Sequence, residues 1–201
     1  NMKTFYLDFE MDRDSGKFQK FIDDIEKYEQ SLVVSTDEGN FLPIIGDYAG
    51  VIYVDSPGGQ NCVAAIMYDF LKNRPLNYKY VVTGSFSSNA ILLLLALNPK
   101  DVVIMRQASS VIHLSNYNHP VSTLAFAKDN DPNINDFSDF IDYLNELMLI
   151  YKTFLSKEEI KLVEKGFDVV LGAKRINELF LKLKRDKKFQ KQCKNIFEIT
   201  L

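Results

Sequence analysis

Seven consecutive apolar residues, Ile91 to Leu97, follow a run of small polar ones, Thr83-Gly84-Ser85-Phe86-Ser87-Ser88-Asn89-Ala90. No charge interrupts the apolar run, so a helix built from it is buried on every side. Ahead of it, Tyr80-Val81-Val82 reads as a buried strand. The expected local structure is a strand, a sharp turn at the small residues, and a core helix. A helix that starts inside a core presents N–H groups with no intrahelical partner, which suits an anion. A serine at such a corner has the geometry of an activated nucleophile on a strand-to-helix elbow. It equally suits a plain helix cap, and Ser85, Ser87 and Ser88 are all placed for that.

The preceding chain repeats the same unit. Phe5 to Phe9 reads as a strand, and Asp12 to Ser15 as turn and cap residues. Phe18, Phe21, Ile22, Ile25 and Tyr28 then fall on one helical face. Val51-Ile52-Tyr53-Val54 is a second buried strand, ending in Asp55-Ser56-Pro57-Gly58-Gly59. Proline stops the ladder there, and the glycines admit backbone angles that other residues resist. Cys62 to Leu71 reads as a helix. After the elbow come two more strand-like runs, Val102 to Met105 and Ser110 to Leu114, the second carrying His113 to a strand end. Alternating strands and helices favour an α/β fold with largely parallel strands. Ligands in such folds gather where strands hand over to helices, and the Asp55–Gly59 turn, Ser88 and His113 all sit at such ends.

Ile134 to Phe154 holds neither glycine nor proline and carries a broad apolar stripe, so it reads as one long helix. That stripe packs either on the chain's own core or on another subunit. Ser156-Lys157-Glu158-Glu159 has the capping-box pattern of a new helix, which Gly166 ends. Phe167 to Leu171 is a short extended piece, and Ile176 to Leu183 begins a terminal helix.

Composition narrows the function classes. The 201 residues are 46% hydrophobic and 25% charged, ordinary for a folded domain. A net charge of −3 gives no footprint for nucleic acid or an anionic membrane. Two cysteines and two histidines far apart provide no disulfide framework and no metal spacing, so neither metal nor cofactor is expected. No stretch approaches the ~20 apolar residues of a spanning helix. Met2-Lys3-Thr4-Phe5 runs straight into strand-like sequence without a signal peptide, so a cytoplasmic location is expected.

Three anchors taken together resemble the Clp peptidase family of the Clp/crotonase fold. They are Tyr53-Val54-Asp55-Ser56-Pro57-Gly58-Gly59, then Gly84 to Leu97, then Val111-Ile112-His113. The likeness runs from about Phe5 to Leu171. Ser88 falls on the family's nucleophile and His113 on its general base, with the family's spacing between them. The resemblance implies an α/β Clp/crotonase-like domain of repeated strand–turn–helix units over residues 1–201. A handle helix at 134–155 would protrude from it, and a helical extension at 174–201 would follow. It implies a serine peptidase acting on peptides or proteins, built as a ring-like homo-oligomer through the handle helix. The N–H groups of Gly59 and Asn89 would form the oxyanion hole.

Several positions depart from the family pattern. The chain begins almost at the first strand, without the segment that lines the family's axial pore and helps dock an unfolding ATPase; an ATPase partner is therefore not carried over. The region from Ser31 to Tyr48 is longer and polar, as is the region after His113, and Asn89 stands where methionine or a small residue is usual. These features resemble a divergent, phage- or mobile-element-type member. The acidic triad member has two alignments. One puts Lys152 at its position, which would repel an imidazolium. The other, preferred here, puts Asp168 there. The rival reading is a catalytically inactive Clp-like subunit that scaffolds an oligomer. A crotonase-type acyl-CoA enzyme has no use for a serine–histidine pair at this spacing.

Overall fold

The structure is a computed structural model that describes residues 2–35, 41–43, 47–113 and 155–187. The handle helix expected from Ile134, and Lys152 with it, lies outside the described residues. The chain forms two compact units, residues 1–111 with 170–181, and residues 112–169 with 182–201.

The first unit is built on a parallel sheet. Strand β1 (Lys3–Leu7) pairs with β4 (Gly50–Ser56), and β4 with β5 (Tyr78–Phe86). The sheet continues to β7 (Ser109–Ile112) and β8 (Val169–Gly172), while β6 (Val102–Ile104) also pairs with β5. β5 therefore pairs with three strands, β4, β6 and β7. Tyr80, Val81 and Val82 of β5 face β6, and Ser85 faces Ser109 of β7. A short antiparallel pair, β2 (Val33–Ser35) and β3 (Phe41–Pro43), stands apart from this sheet.

Helix α1 (Lys17–Ser31) buries Phe18, Phe21, Ile22 and Ile25, the face that its periodicity foretells. Helix α2 (Asn61–Lys72) buries Val63, Ala64, Met67 and Leu71. Helix α1 packs on β1 and α2 on the segment that follows β5, and apolar strand positions such as Phe5, Leu7, Ile52, Val54 and Val82 are buried. Burying each large apolar side chain contributes about 1.5–3 kcal/mol against the entropy of ordering the chain. Buried Glu29 accepts from Arg74 at 3.0 Å and from the Tyr78 hydroxyl at 3.1 Å. The Arg74 guanidinium also lies 3.7 Å from the Phe70 ring centre.

In the second unit, α3 (Lys157–Glu164) opens with the capping box that its sequence announces. Ser156 Oγ accepts from Glu159 N–H at 3.2 Å, and Glu159 Oε2 accepts from Ser156 N–H at 2.8 Å. Gly166 closes it with φ +84°. Helix α4 (Ala173–Arg185) follows β8 and lies in the first unit as far as Leu181, with Ile176, Leu179 and Phe180 buried.

Two expectations need correction. Thr83, Gly84 and Ser85 do not make a turn: they belong to β5, which runs on to Phe86. Small side chains there let the Asp55 carboxylate lie against the strand, since a Cβ on Gly84 would come 2.5 Å from it. The apolar run is helical but wound more tightly than an α-helix, as a 3₁₀ segment over Ser88–Ala96. Ala90 N–H donates to Ser87 O at 3.0 Å, and Leu97 N–H to Leu94 O at 3.2 Å. An unbroken apolar run has no period, so packing alone decides between three and 3.6 residues per turn. No described helix is long and apolar enough to cross a membrane.

Candidate active site

The site begins where β4 and β5 end side by side. Their register shifts between Val54 and Ser56. Past that irregularity, Ser56 Oγ donates to Phe9 O at 2.7 Å and accepts from Gly58 N–H at 3.3 Å. This tethers the Pro57-Gly58-Gly59 turn. Met11 holds it from beneath: Met11 N–H donates to Gly58 O, and Gln60 N–H to Met11 O, both at 2.7 Å.

That bridge fixes the orientation of Gly59. In a parallel bridge the flanking peptide groups face the partner, so the central residue's own N–H and C=O turn the other way. The Gly59 carbonyl does so, and accepts from Asn89 Nδ2 at 2.8 Å. Gly59 has φ +144° and Gly58 φ +97°, conformations that exclude ordinary side chains.

Ser88 lies directly over this turn. A Cβ built on Gly58 would come 2.7 Å from Ser88 Cβ and 3.1 Å from Asn89 N. Ser88 itself has φ +51°, and no other non-glycine residue among those described has a positive φ. A left-handed serine is strained and persists only where its surroundings impose it. A sharp strand-to-helix elbow is such a place. Ser88 is half-buried, and its hydroxyl makes no hydrogen bond among the described residues.

The neighbouring serines are committed elsewhere. Ser87 is buried; its Oγ accepts from Val111 N–H at 2.9 Å and lies 2.7 Å from Ser85 Oγ. Ser85 N–H donates to Asp55 Oδ1 at 2.6 Å. So Gly58, Gly59, Ser88 and Asn89 are brought together, and Ser85 and Ser87 are drawn into a separate network toward β7.

His113 follows β7 directly, is half-buried, and falls in the second unit. Asp168 falls there as well, exposed, between Gly166 and the start of β8. Among the described residues no cluster of His, Cys, Asp or Glu is placed to hold a metal ion. Sequence reasoning missed the Asp55, Ser85 and Ser87 network. The available signal was Gly84, a glycine inside a strand, which marks the close approach of another group.

A search of curated proteins found no match. Among solved structures, a ClpP1 mutant from Listeria monocytogenes is similar, with a TM-score of 0.51 and 18% identity. The match covers 89% of this chain and 87% of that one, and it shows the Clp/crotonase-like fold. The family model described as Clp protease matches residues 48–162, a span that holds the Ser56–Gly59 turn, the Ser88 elbow and His113. With more than half of its length matched by that model, the chain belongs to the Clp protease family.

Proposed function

We propose that this chain is a serine peptidase that cleaves peptide bonds with Ser88 as nucleophile and His113 as general base. Ser88 Oγ attacks the peptide carbonyl while His113 takes its proton and then delivers it to the leaving amine. The N–H groups of Gly59 and Asn89 receive the developing oxyanion, a contribution of about 3–4 kcal/mol per donor in well-formed sites. Asp168 orients the imidazole. The substrate is a peptide or an unfolded segment of protein, and the working form is a homo-oligomer.

The single observation that carries this reading is the backbone of Ser88. Its φ of +51° sets Ser88 against Gly58, and its hydroxyl makes no hydrogen bond among the described residues, while the Ser87 and Ser85 hydroxyls are both engaged. A cap serving only to start a helix needs no such strain. A fluorogenic peptide panel tests it: turnover by the wild-type chain that disappears in Ser88→Ala supports it, and equal turnover in both refutes it.

The exposure of Asp168 favours a second reading, a catalytically inactive family member that acts as a scaffold. A carboxylate in water does little to fix a histidine tautomer. Under that reading no variant of Ser88 changes any hydrolysis, and the chain still assembles.

A further inference from the structure

Ser87 does something that the triad reading leaves unexplained. The β5–β7 ladder has one paired position, Ser85 with Ser109. Two residues further along, Ser87 stands opposite Val111, where β5 has already ended. There the acceptor for Val111 N–H is not a backbone carbonyl but the Ser87 hydroxyl oxygen, at 2.9 Å. Ser87 is only 5% exposed, so its oxygen is a fixed, water-shielded acceptor for this part-buried N–H. The Ser87 oxygen is itself held: it lies 2.7 Å from Ser85 Oγ, and Ser85 N–H is bound to Asp55 at 2.6 Å. The backbone of Ser87 is fixed as well, because its N–H donates to Ser56 O at 3.1 Å and its C=O accepts from Ala90 N–H at 3.0 Å.

Two features give this side chain a consequence for chemistry. Ser87 is covalently joined to Ser88. Val111 precedes His113 by two residues, one alternation of an extended chain. We propose that Ser87 is a positioning residue, whose hydroxyl ties the strand leading to His113 to the elbow carrying Ser88. This rests on the peptidase reading above. Ser87 itself does not touch the reacting atoms. Its one hydrogen bond closes the Ser88–Val111 excursion, whose ends the chain alone would connect only through its whole length. Reactive geometry tolerates little slack: a displacement of about 1 Å at a reacting pair costs on the order of a hundredfold in rate.

The test uses the full chain and three proteins: wild type, Ser87→Ala and Ser87→Thr. Val111 amide exchange is read by hydrogen–deuterium exchange, and kcat and KM are read on a fluorogenic peptide. In Ser87→Ala, Val111 exchange is expected to rise about tenfold or more, with kcat falling roughly ten- to a hundredfold and KM little changed. Ser87→Thr keeps an acceptor oxygen at the same place and is expected to restore both. A general loss of structure would move KM and exchange across the whole sheet, and threonine would not rescue it selectively. Unchanged kcat in Ser87→Ala, or unchanged Val111 exchange, overturns the positioning role alone. A wild-type chain with no turnover and no reaction with a fluorophosphonate overturns the peptidase reading, and the positioning role falls with it.

Discussion

Gly58 lies so close beneath Ser88 that a Cβ built on it would come 2.7 Å from the serine's own Cβ. The glycine of one strand-end turn is thus the floor on which the serine of the next is set. Gly58→Ala must strain both, because φ at Gly58 is +97° and the new methyl would also meet Ser87 O at 2.6 Å. The expected outcome is a loss of about 2 kcal/mol or more in stability, with loss of turnover. Urea denaturation and peptide hydrolysis on the same sample check it; an alanine variant with wild-type values of both would contradict it.

Asn89→Ala removes the Nδ2 donor that holds the Gly59 carbonyl at 2.8 Å. Asn89 is buried, so the carbonyl is left short of a partner, at a cost of about 1–3 kcal/mol. Gly59 then loses the contact that orients its peptide. Turnover is expected to fall about tenfold or more beyond what stability accounts for. Activity measured well below the melting temperature separates the two effects.

Asp168→Asn probes the third triad position. Asp168 is exposed, so stability is expected to stay within about 0.5 kcal/mol of wild type. If it orients His113 in the working enzyme, turnover falls by about 10²–10⁴. Turnover within a factor of two of wild type would remove Asp168 from the reading and leave Ser88 and His113 as a pair.

Buried Glu29 makes a pH prediction. Burial pushes its carboxyl above the ordinary value of 4.5, against the opposing pull of Arg74 and the Tyr78 hydroxyl. The folded chain therefore binds this proton more tightly than the unfolded chain. The stability it contributes is fully present below pH 4.5 and is lost as pH rises through the raised value. Melting temperatures of wild type and Glu29→Gln, followed from pH 4 to 7, should differ in that sense, with the glutamine variant flatter. A wild-type curve that gains on the variant with rising pH would contradict it.

Ser110 is fully buried in β7, and its hydroxyl has no hydrogen-bond partner among the described residues. Ser110→Ala is expected to stabilise by about 1 kcal/mol, since an unmet buried hydroxyl is removed and little volume is lost. Chemical denaturation of the two proteins decides it. A destabilised alanine variant would mean that Ser110 does have a partner in solution.

Much of this architecture was legible because its signals are local. The period of Phe18, Phe21, Ile22 and Ile25 names the buried face of α1, and Ser156 with Glu159 names the start of α3. Glycines Gly58 and Gly59 mark a turn that no other residue type can make. What escaped was set by contacts distant in sequence. Nothing local in Thr83-Gly84-Ser85 says that β5 continues, because the reason is the Asp55 carboxylate thirty residues earlier. The tight winding of Ile91 to Leu97 is equally invisible in a run without a period. Ser87 and Ser88 look alike as letters. They part only in space, where one hydroxyl meets Val111 and the other makes no hydrogen bond among the described residues.

The central claim is that Ser88 is an activated nucleophile, and the most direct measurement is covalent capture. A fluorophosphonate reacts when a serine oxygen attacks phosphorus and expels fluoride, and peptide mapping by mass spectrometry then locates the adduct. The account predicts one adduct per chain, on Ser88, absent in Ser88→Ala and still formed, more slowly, in Ser87→Ala. A folded wild-type chain that takes no label, or takes it on Ser85 or Ser87, would contradict the account.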